Sequence, residues 1–164
     1  MPPRRAALEV NSILRRTLAL RSYDFSNHGV EITERLADDI PFVMGDAHQL
    51  QQVFLNIVNN AYDAVSGAQP GQIEVCTARR NGFVEIVFRD NGHGIEFAER
   101  IFDPFFTTKE VGKGTGLGLS ICYGIVNEHG GEITCRNNDD GPGATFIVRL
   151  PVASAAAMAA GAAE

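Results

Sequence analysis

The sequence predicts an α+β fold, a two-layer sandwich in which one mixed, mostly antiparallel sheet is covered on one face by helices. Two observations predict it. Two segments with helical periodicity, at residues 47–65 and about 116–128, are separated by one pair of strand-like segments and followed by another. Asn81 and Gly82 join the first pair, which is the strongest short signal for an antiparallel hairpin. The 164 residues suffice for one domain with a core of ordinary size.

Composition and charge exclude several classes of protein. Apolar residues make up 45% of the chain and charged residues 21%, as in a soluble globular protein. A formal net charge of -6 argues against a nucleic-acid binder, which would show a basic face. No apolar run approaches the roughly 18 residues needed to cross a bilayer, and three widely spaced cysteines favour reduced packing residues over a zinc site. We therefore expect a cytoplasmic protein that touches no membrane.

The first part of the chain predicts two helices with short extended segments between them. The first helix is expected from about Ala6 to Arg21, and the strand-like segments GVEITERL and IPFVMGD follow it. Asp46 then has the position of an N-cap, with Gln49 three residues on. The apolar face of the second helix consists of Leu50, Val53, Phe54, Ile57, Val58, Ala61 and Val65. We expect Gly67 to end this helix.

The rest of the chain predicts two strand pairs around a long loop and a helix. The segments QIEVCTARR and GFVEIVFRD form the first pair. Residues 91–115 show no clear periodicity, and loops of that length inside a compact domain are usually functional. A helix is expected from about Gly116 to Glu128, followed by the strands GEITCRN and ATFIVRL, which end at Pro151. The alanine-rich tail after Pro151 is expected to be helical or disordered.

Polar side chains interrupt the helix predicted at residues 47–65. Asn56, Asn60 and Asp63 are spaced i, i+4 and i+7, so they share one stripe at the border of the apolar face. Asparagine is costly to bury without a partner, so such a stripe either faces water or binds something. We expect Asn59, which lies outside the stripe, to face water.

Two glycine-containing segments are candidate binding loops, although each alone is compatible with an ordinary turn. In FRDNGHGI a strand brings Asp90 to its end, where its carboxylate can bind an exocyclic amine, and Gly92 and Gly94 permit close approach of a ligand. In GKGTGLGLS glycines precede a helix, where bare amides favour an anion, and Lys109 and Lys113 are nearby phosphate partners. This is not a Walker loop. Between them, the phenylalanines of IFDPFFTTK belong either to the core or to a lid.

In order and content these segments resemble the catalytic, ATP-binding domain of sensor histidine kinases, in the Bergerat-fold superfamily. LQQVFLNIVNNAYDAV resembles the asparagine box, DNGHGI the first glycine box, IFDPFFTTK the phenylalanine box and GKGTGLGLS the second glycine box. The match spans about residues 32–151, and its NAYDA and PFFTTK segments resemble the nitrogen-regulator type of kinase. The resemblance implies a linker helix and lead-in at residues 1–28, an ATP-binding kinase catalytic domain at 29–151 and a tail at 152–164.

The resemblance also implies roles for single residues. Asn60 matches the family's magnesium ligand, Asn56 lies one turn earlier near the metal or the phosphates, and Asp90 matches the aspartate that binds the adenine amine. The other residues implied at the base are Gly92, Gly94, Ile95 and, below it, Thr145. The implied lid over the phosphates consists of Thr107, Thr108, Lys109, Lys113, Gly114, Thr115, Gly116, Leu117 and Gly118. ATP and Mg²⁺ are the implied cofactors.

Asn56 separates two classes of reaction in this superfamily. Its hydrolases and serine kinases typically carry a glutamate there as general base. An amide cannot take a proton at neutral pH, whereas neutral imidazole is already nucleophilic near its pKa of about 6.5. Asn56 therefore favours phosphoryl transfer to histidine, in which Asn56, Asn60 and Lys109 act with Mg²⁺ by positioning and charge neutralisation. Many relatives carry lysine where this chain has Asp63, so no phosphate role is carried over to Asp63.

The phosphoacceptor implied by the resemblance is expected on another domain. The histidines of the chain are His28, His48, His93 and His129. None has the H-E or H-D context of the acceptor, and we expect its helical hairpin to be missing from this chain. The implied partners are a histidine-bearing dimerisation domain and, through it, the receiver domain of a response regulator, with a monomer in isolation. Two alternatives stay open: an ATPase or serine kinase of the same fold, against which Asn56 counts, and a non-catalytic nucleotide-binding module that regulates partners through its lid.

Overall fold

The protein contains a five-stranded sheet with helices on one face, described here for residues 5–68, 70–106 and 118–162 of a computed structural model. In chain order the elements are β1 (Ala6–Leu8), α1 (Val10–Asn27), β2 (Val30–Leu36), β3 (Val43–Gly45), α2 (Ala47–Ala64), β4 (Gly71–Arg80), β5 (Phe83–Asp90), α3 (Gly118–Glu128), β6 (Glu132–Asn137), β7 (Ala144–Pro151) and α4 (Ala155–Ala162). One 3₁₀ turn, Ala98–Arg100, lies in the loop after β5.

The strand order of the main sheet is β2-β4-β5-β7-β6. The pair β2 and β4 is parallel, whereas β4 and β5, β5 and β7, and β6 and β7 are antiparallel. A separate two-stranded sheet is formed by β1 and β3. The structure therefore confirms the predicted mixed, mostly antiparallel sheet.

The hairpin between β4 and β5 forms at the predicted turn. Asn81 has a φ of 51° and Gly82 a φ of 83°, so both are in the left-handed region that a two-residue turn of this kind requires. Arg80 and Phe83 are directly paired on either side of the turn. The right-handed twist of the two strands matches this turn, which explains why Asn-Gly is so specific a signal.

The core lies between the sheet and the helices because alternate strand residues point to opposite faces. On the paired strands β5 and β7 its fully buried members are Val84, Ile86 and Phe88 of β5 and, opposite them on β7, Leu150, Val148 and Phe146. Every residue predicted for the apolar face of α2 is also buried, which confirms that face. The outer face of the sheet carries ion pairs instead, for example Arg149 with Glu85 at 3.0 Å.

Helix α1 differs from its prediction at both ends. It begins at Val10 rather than near Ala6, because the residues before it form β1 and pair with β3. It continues to Asn27, six residues beyond the predicted end. Val10 and Phe25, near its two ends, are fully buried in the same core as the sheet. The assignment of residues 1–28 as a linker helix and lead-in stays a prediction.

Helix α2 has the predicted beginning and an earlier end. Asp46 Oδ1 accepts the N–H of Gln49 at 3.0 Å, which confirms the N-cap. The helix ends at Ala64 rather than at Gly67, because the Ala64 carbonyl accepts the N–H of His93 at 3.2 Å instead of extending the helix. This bond joins the end of α2 to the loop after β5.

The alanine-rich tail forms α4, one of the two states expected for it. Ser154 caps this helix, since its Oγ accepts the N–H of Ala157 at 3.0 Å. No helix in the described ranges has both the length and the apolarity to span a membrane. Cys76, Cys122 and Cys135 are free thiols.

Candidate functional site

A cavity of about 610 Å³ lies between the end of α2, the ends of β5 and β7, and the loop after β5. Its described lining consists of Asn60, Asp63, Ala64, Asp90, His93, Gly94, Ile95, Glu96, Phe97, Ile101, Phe106, Ala144 and Phe146. Four of the residues predicted for a binding site are among them, namely Asn60, Asp90, Gly94 and Ile95. The fold therefore brings together residues that are far apart in the sequence.

Asp90 is the buried carboxylate of this cavity. It is 3% exposed, and its Oδ1 accepts the N–H of Gly92 at 2.9 Å and the N–H of Ala144 at 3.2 Å. Burial raises the pKa of this carboxyl, and the two backbone hydrogen bonds oppose the rise because they stabilise the anion. No donor of the described residues binds Oδ2, so Oδ2 is the oxygen that remains for a ligand.

The loop after Asp90 is packed so closely that it requires glycine at two positions. A Cβ on Gly92 would overlap the Ala64 carbonyl at the end of α2. Gly94 has a φ of 83°, and a Cβ there would lie 2.8 Å from Asn137 Oδ1 on β6. These glycines therefore fit the loop against α2 and β6, in addition to leaving room for a ligand.

Two members of the polar stripe on α2 reach the cavity wall. They are Asn60 and Asp63, which are nearly one helical turn apart. The amide of Asn60 makes no hydrogen bond to another described residue, so its oxygen is available to a ligand. A neutral amide oxygen beside an open cavity fits a magnesium ion that keeps several waters and takes its other ligands from phosphates.

The other two asparagines of α2 are not on the cavity wall. Asn56 Nδ2 donates to the carbonyl of Gly118, the first residue of α3, at 3.3 Å. Asn59 is half-buried, and its Oδ1 is buried and accepts no hydrogen bond within the described ranges, so the expectation that this side chain faces water is met only in part. Tyr62, on the same side of α2, stacks on Phe25 of α1 with 4.6 Å between ring centroids, so α1 covers that side.

Thr145 faces away from the cavity. Its neighbours Ala144 and Phe146 line the cavity, and successive residues of a strand point to opposite faces near the end of β7. The hydroxyl of Thr145 donates to Asn138 Oδ1 at 2.6 Å. The structure thus does not bring Thr145 below the base, and any effect of Thr145 on a ligand is indirect.

The phenylalanines of IFDPFFTTK have different surroundings. Phe102 packs against the core, with its ring centroid 6.3 Å from that of Phe146. Phe106 lines the cavity and packs edge-on against Phe97 at 5.8 Å. Phe105 is 73% exposed and has a φ of 66°. Phe102 therefore fits the core alternative, whereas the role of this segment in a lid stays a prediction.

Most of the predicted lid lies outside the described residues. This applies to Thr107, Thr108, Lys109, Lys113, Gly114, Thr115, Gly116 and Leu117, whereas Gly118 begins α3. The acidic side chains on the described cavity wall are Asp63, Asp90 and Glu96. Because like charges repel, a polyanion at this wall needs accompanying cations. The two lysines of the whole chain, Lys109 and Lys113, both lie in the lid segment.

A buried histidine joins α2 and α3 at the ends away from the cavity. His129 is 5% exposed, its Nδ1 lies 2.7 Å from the carbonyl of Ile125, and its Nε2 accepts the N–H of Asp46 at 3.1 Å. This pattern assigns the neutral tautomer with the proton on Nδ1. Gly45 leaves room for the ring, because a Cβ there would lie 2.6 Å from His129 Cδ2. His129 therefore fixes the position of α3 relative to the start of α2.

Several parts of the site carried no clear signal in the sequence. His93, Phe97 and Ile101 lie in the segment without periodicity, and only the fold places them on the cavity wall. Phe146 had a usable signal, since the alternation of β7 places it on the same face as the core residues. Asn138 had none, because its hydrogen bonds depend on the path of the turn between β6 and β7.

Comparison with known proteins assigns this arrangement to one family. The sequence profile described as "Histidine kinase-, DNA gyrase B-, and HSP90-like ATPase" matches residues 45–154. The chain is 44% identical over 147 residues to the two-component sensor PprA of Pseudomonas aeruginosa, which covers 85% of this chain and 16% of PprA. It is 34% identical over 173 residues to the sensory histidine kinase/phosphatase NtrB of Rhizobium leguminosarum bv. phaseoli, which covers 96% of this chain and 44% of NtrB. The chain thus spans less than half the length of these two relatives.

Solved structures of histidine kinases share the fold. The catalytic domain of the histidine kinase ThkA matches with a TM-score of 0.79 and 30% identity, over 90% of this chain and 97% of that domain. ThkA in complex with the response regulator protein TrrA matches with a TM-score of 0.77 and 28% identity, over 91% of this chain and 42% of that one. Full-length ShkA in complex with AMPPNP matches with a TM-score of 0.81 and 26% identity, over 94% of this chain and 32% of ShkA.

Proposed function

Since the chain belongs to the family of histidine kinase-, DNA gyrase B- and HSP90-like ATPases, and its relatives are sensor histidine kinases, we propose that it binds Mg-ATP in the cavity and transfers the γ-phosphoryl group to a histidine on a separate dimerisation domain. The observation that carries this proposal is Asp90, a buried carboxylate that lines a cavity of about 610 Å³, with one oxygen bound to backbone N–H groups and the other without a donor among the described residues.

Base recognition would depend on Asp90 and the apolar wall around it. Asp90 Oδ2 would accept the exocyclic amine of adenine, whereas guanine has a carbonyl oxygen at the equivalent position and would meet an acceptor with an acceptor. Ile95, Ala144 and Phe146 line the same cavity and would pack against the ring. With its base bound to Asp90 and packed against this wall, a nucleotide would have its phosphates directed towards α2 and the lid.

Phosphate binding would depend on cations that offset the acidic wall. Asn60 would supply an amide oxygen to Mg²⁺, which lowers the negative charge of the phosphates when it is bound. Lys109 and Lys113 are the proposed cationic side chains of the lid, and the glycine amides near them would donate to phosphate oxygens. We therefore expect ATP binding to weaken greatly when divalent cations are removed.

Transfer to histidine would require positioning rather than a general base from this chain. Asn56 cannot accept a proton, and its amide instead donates to the Gly118 carbonyl, where the second glycine box meets α3. The acceptor imidazole would attack with its own unprotonated nitrogen, so no base from α2 is needed. Asn56 would thus hold the start of α3, and Asn60 and Lys109 would hold the phosphates in line.

The wider role follows from what the relatives bind. The complexes of ShkA with AMPPNP and of ThkA with TrrA support an adenine nucleotide as substrate and a response regulator as the final partner. The direct partner would be the histidine-bearing dimerisation domain. Because ATP is the proposed substrate and the cysteines are reduced, we propose that the domain acts in the cytoplasm.

Radiolabelled ATP and the cognate histidine-bearing hairpin test this function. The expected product is acid-labile, base-stable phosphohistidine on the hairpin, formed only with Mg²⁺. Asn60→Ala is expected to abolish transfer, and Asn127→Ala, at an exposed position of α3, is the matched control. Phosphate release without phosphohistidine would contradict the proposal and favour an ATPase. Asn56→Glu should raise hydrolysis, and an unchanged rate would weaken the role given to Asn56.

A further inference from the structure

Two adjacent asparagines at the end of β6 hold opposite sides of the base cavity. Asn137 binds the backbone of Ile95 at both polar groups: its Oδ1 accepts the Ile95 N–H at 2.6 Å and its Nδ2 donates to the Ile95 carbonyl at 3.0 Å. One amide side chain thus supplies the donor and the acceptor that the backbone of a neighbouring strand would otherwise supply. It fixes Gly94 and Ile95, which line the cavity, against the sheet.

Asn138 fixes the opposite side, which carries the carboxylate. Its Nδ2 donates to the carbonyl of Asp90 at 2.9 Å and to that of Pro142 at 3.0 Å, and its own N–H donates to the Gly143 carbonyl at 3.0 Å. Thr145 Oγ1 completes the set by donating to Asn138 Oδ1 at 2.6 Å. Every polar atom of this side chain is therefore used, and its partners are at Asp90, in the turn before β7 and at the start of β7.

The position of Asp90 Oδ2 depends on this network. Oδ1 is held by the N–H of Ala144, and Ala144 follows the turn that Asn138 ties to the Asp90 carbonyl. Gly143 packs so closely on that carbonyl that a Cβ would overlap it. The carboxylate and its backbone are thus located by the same few residues, and a shift of the turn moves the acceptor that meets the base.

We infer that Asn137 and Asn138 are positioning residues that determine the nucleotide base. This inference rests on the proposed function. Asn138 positions Asp90 Oδ2 on one wall and Asn137 positions Gly94 and Ile95 on the other, so that the two walls have the separation that an adenine ring requires. Asn137 is the last residue of β6 and Asn138 the first residue after it, and their side chains bind Ile95 on one wall and the Asp90 carbonyl on the other. Thr145 contributes through Asn138, without touching the base.

Nucleotide selectivity tests the inference. Asn138→Asp keeps the shape of the side chain and removes both N–H donors, and Thr145→Val removes one hydroxyl. Dissociation constants are measured for Mg-ATP, Mg-GTP and inorganic tripolyphosphate with Mg²⁺. The preference for ATP over GTP is expected to fall about tenfold in Asn138→Asp, which corresponds to the net contribution of one hydrogen bond. In Thr145→Val it is expected to fall about threefold, which corresponds to part of one hydrogen bond. Tripolyphosphate binding is expected to stay within about twofold of the wild type, since it senses only the phosphate subsite.

Controls separate this inference from structural damage and from the proposed function. Asn127→Asp makes the same chemical change at an exposed position of α3 and is expected to keep the wild-type preference. Wild-type selectivity in both Asn138→Asp and Thr145→Val overturns the inference, as does an equal loss of ATP, GTP and tripolyphosphate binding. Asn137→Ala is expected to lower selectivity as Asn138→Asp does. A wild-type chain that binds ATP no better than GTP would instead overturn the adenine site itself.

Discussion

Replacing Asp90 by asparagine reverses one hydrogen-bonding group without changing the shape of the side chain. The amide oxygen must take the place of Oδ1, because the N–H groups of Gly92 and Ala144 both point there. The NH₂ group is then directed into the cavity, where it presents a donor instead of an acceptor. ATP loses a hydrogen bond to a charged acceptor, worth roughly 1.5–3 kcal/mol. Its dissociation constant should therefore rise roughly 10- to 150-fold.

Isothermal titration of Mg-ATP and Mg-GTP into the wild type and Asp90→Asn measures this change. GTP is expected to lose little affinity or to gain some, because its carbonyl oxygen can accept from the new NH₂ group. Asp139→Asn is the matched control, since the side chain of Asp139 is 97% exposed. Thermal unfolding of each variant verifies the fold. An ATP affinity within about threefold of the wild type in Asp90→Asn would refute base recognition by this carboxylate.

Three further predictions concern stability. The free energy of unfolding of Asp90→Asn relative to the wild type should increase as pH rises from the ordinary aspartate pKa of 3.8 to the raised pKa of Asp90, because the wild type must ionise a buried carboxyl over that window. Urea unfolding at several pH values measures this change, and a difference in unfolding free energy that is the same at every pH contradicts it. His129→Ala removes the acceptor of the Asp46 N–H at the N-cap of α2, so it should lower the free energy of unfolding, measured with urea, by about 2–4 kcal/mol. His48→Ala, at an exposed position, should change it little. Gly143 has a φ of 103° and packs against the Asp90 carbonyl, so Gly143→Ala should lower the free energy of unfolding by about 2 kcal/mol or more and weaken ATP binding. Gly141→Ala, with open space around its Cβ, should do neither. Equal effects of the two glycine variants would contradict the close approach of Gly143 to Asp90.

Local patterns predicted the elements whose stability is encoded locally. The apolar face of α2, its N-cap at Asp46 and the Asn81–Gly82 turn depend on residues close in sequence, and all three occur as predicted. The short strand Ala6–Leu8 was missed because its partner β3 lies far along the chain and three residues carry no usable periodicity. The first helix was instead predicted to begin near Ala6, because helix propensity alone favours a helix through this segment.

The candidate site was predictable only in part, for a similar reason. Asn60, Asp90, Gly94 and Ile95 were identified from motifs, and the cavity brings them together. Motifs do not report which face of an element a side chain occupies. Thr145 was therefore placed at the base although the alternation along β7 directs it to the other face. The burial of Asn59 Oδ1 depends on contacts between α1 and α2 that no local pattern encodes.

The final strand of the sheet in chain order, β7, lies inside the sheet between β5 and β6. During synthesis on the ribosome, β5 therefore has an unpaired edge until β7 emerges, and an unpaired edge is where wrong pairing begins. The cavity also lacks Ala144 and Phe146 until then, so under the proposed function we expect an earlier fragment to bind nucleotide more weakly than the whole domain. Nucleotide that binds only the finished domain would draw newly made chains into the native state by mass action.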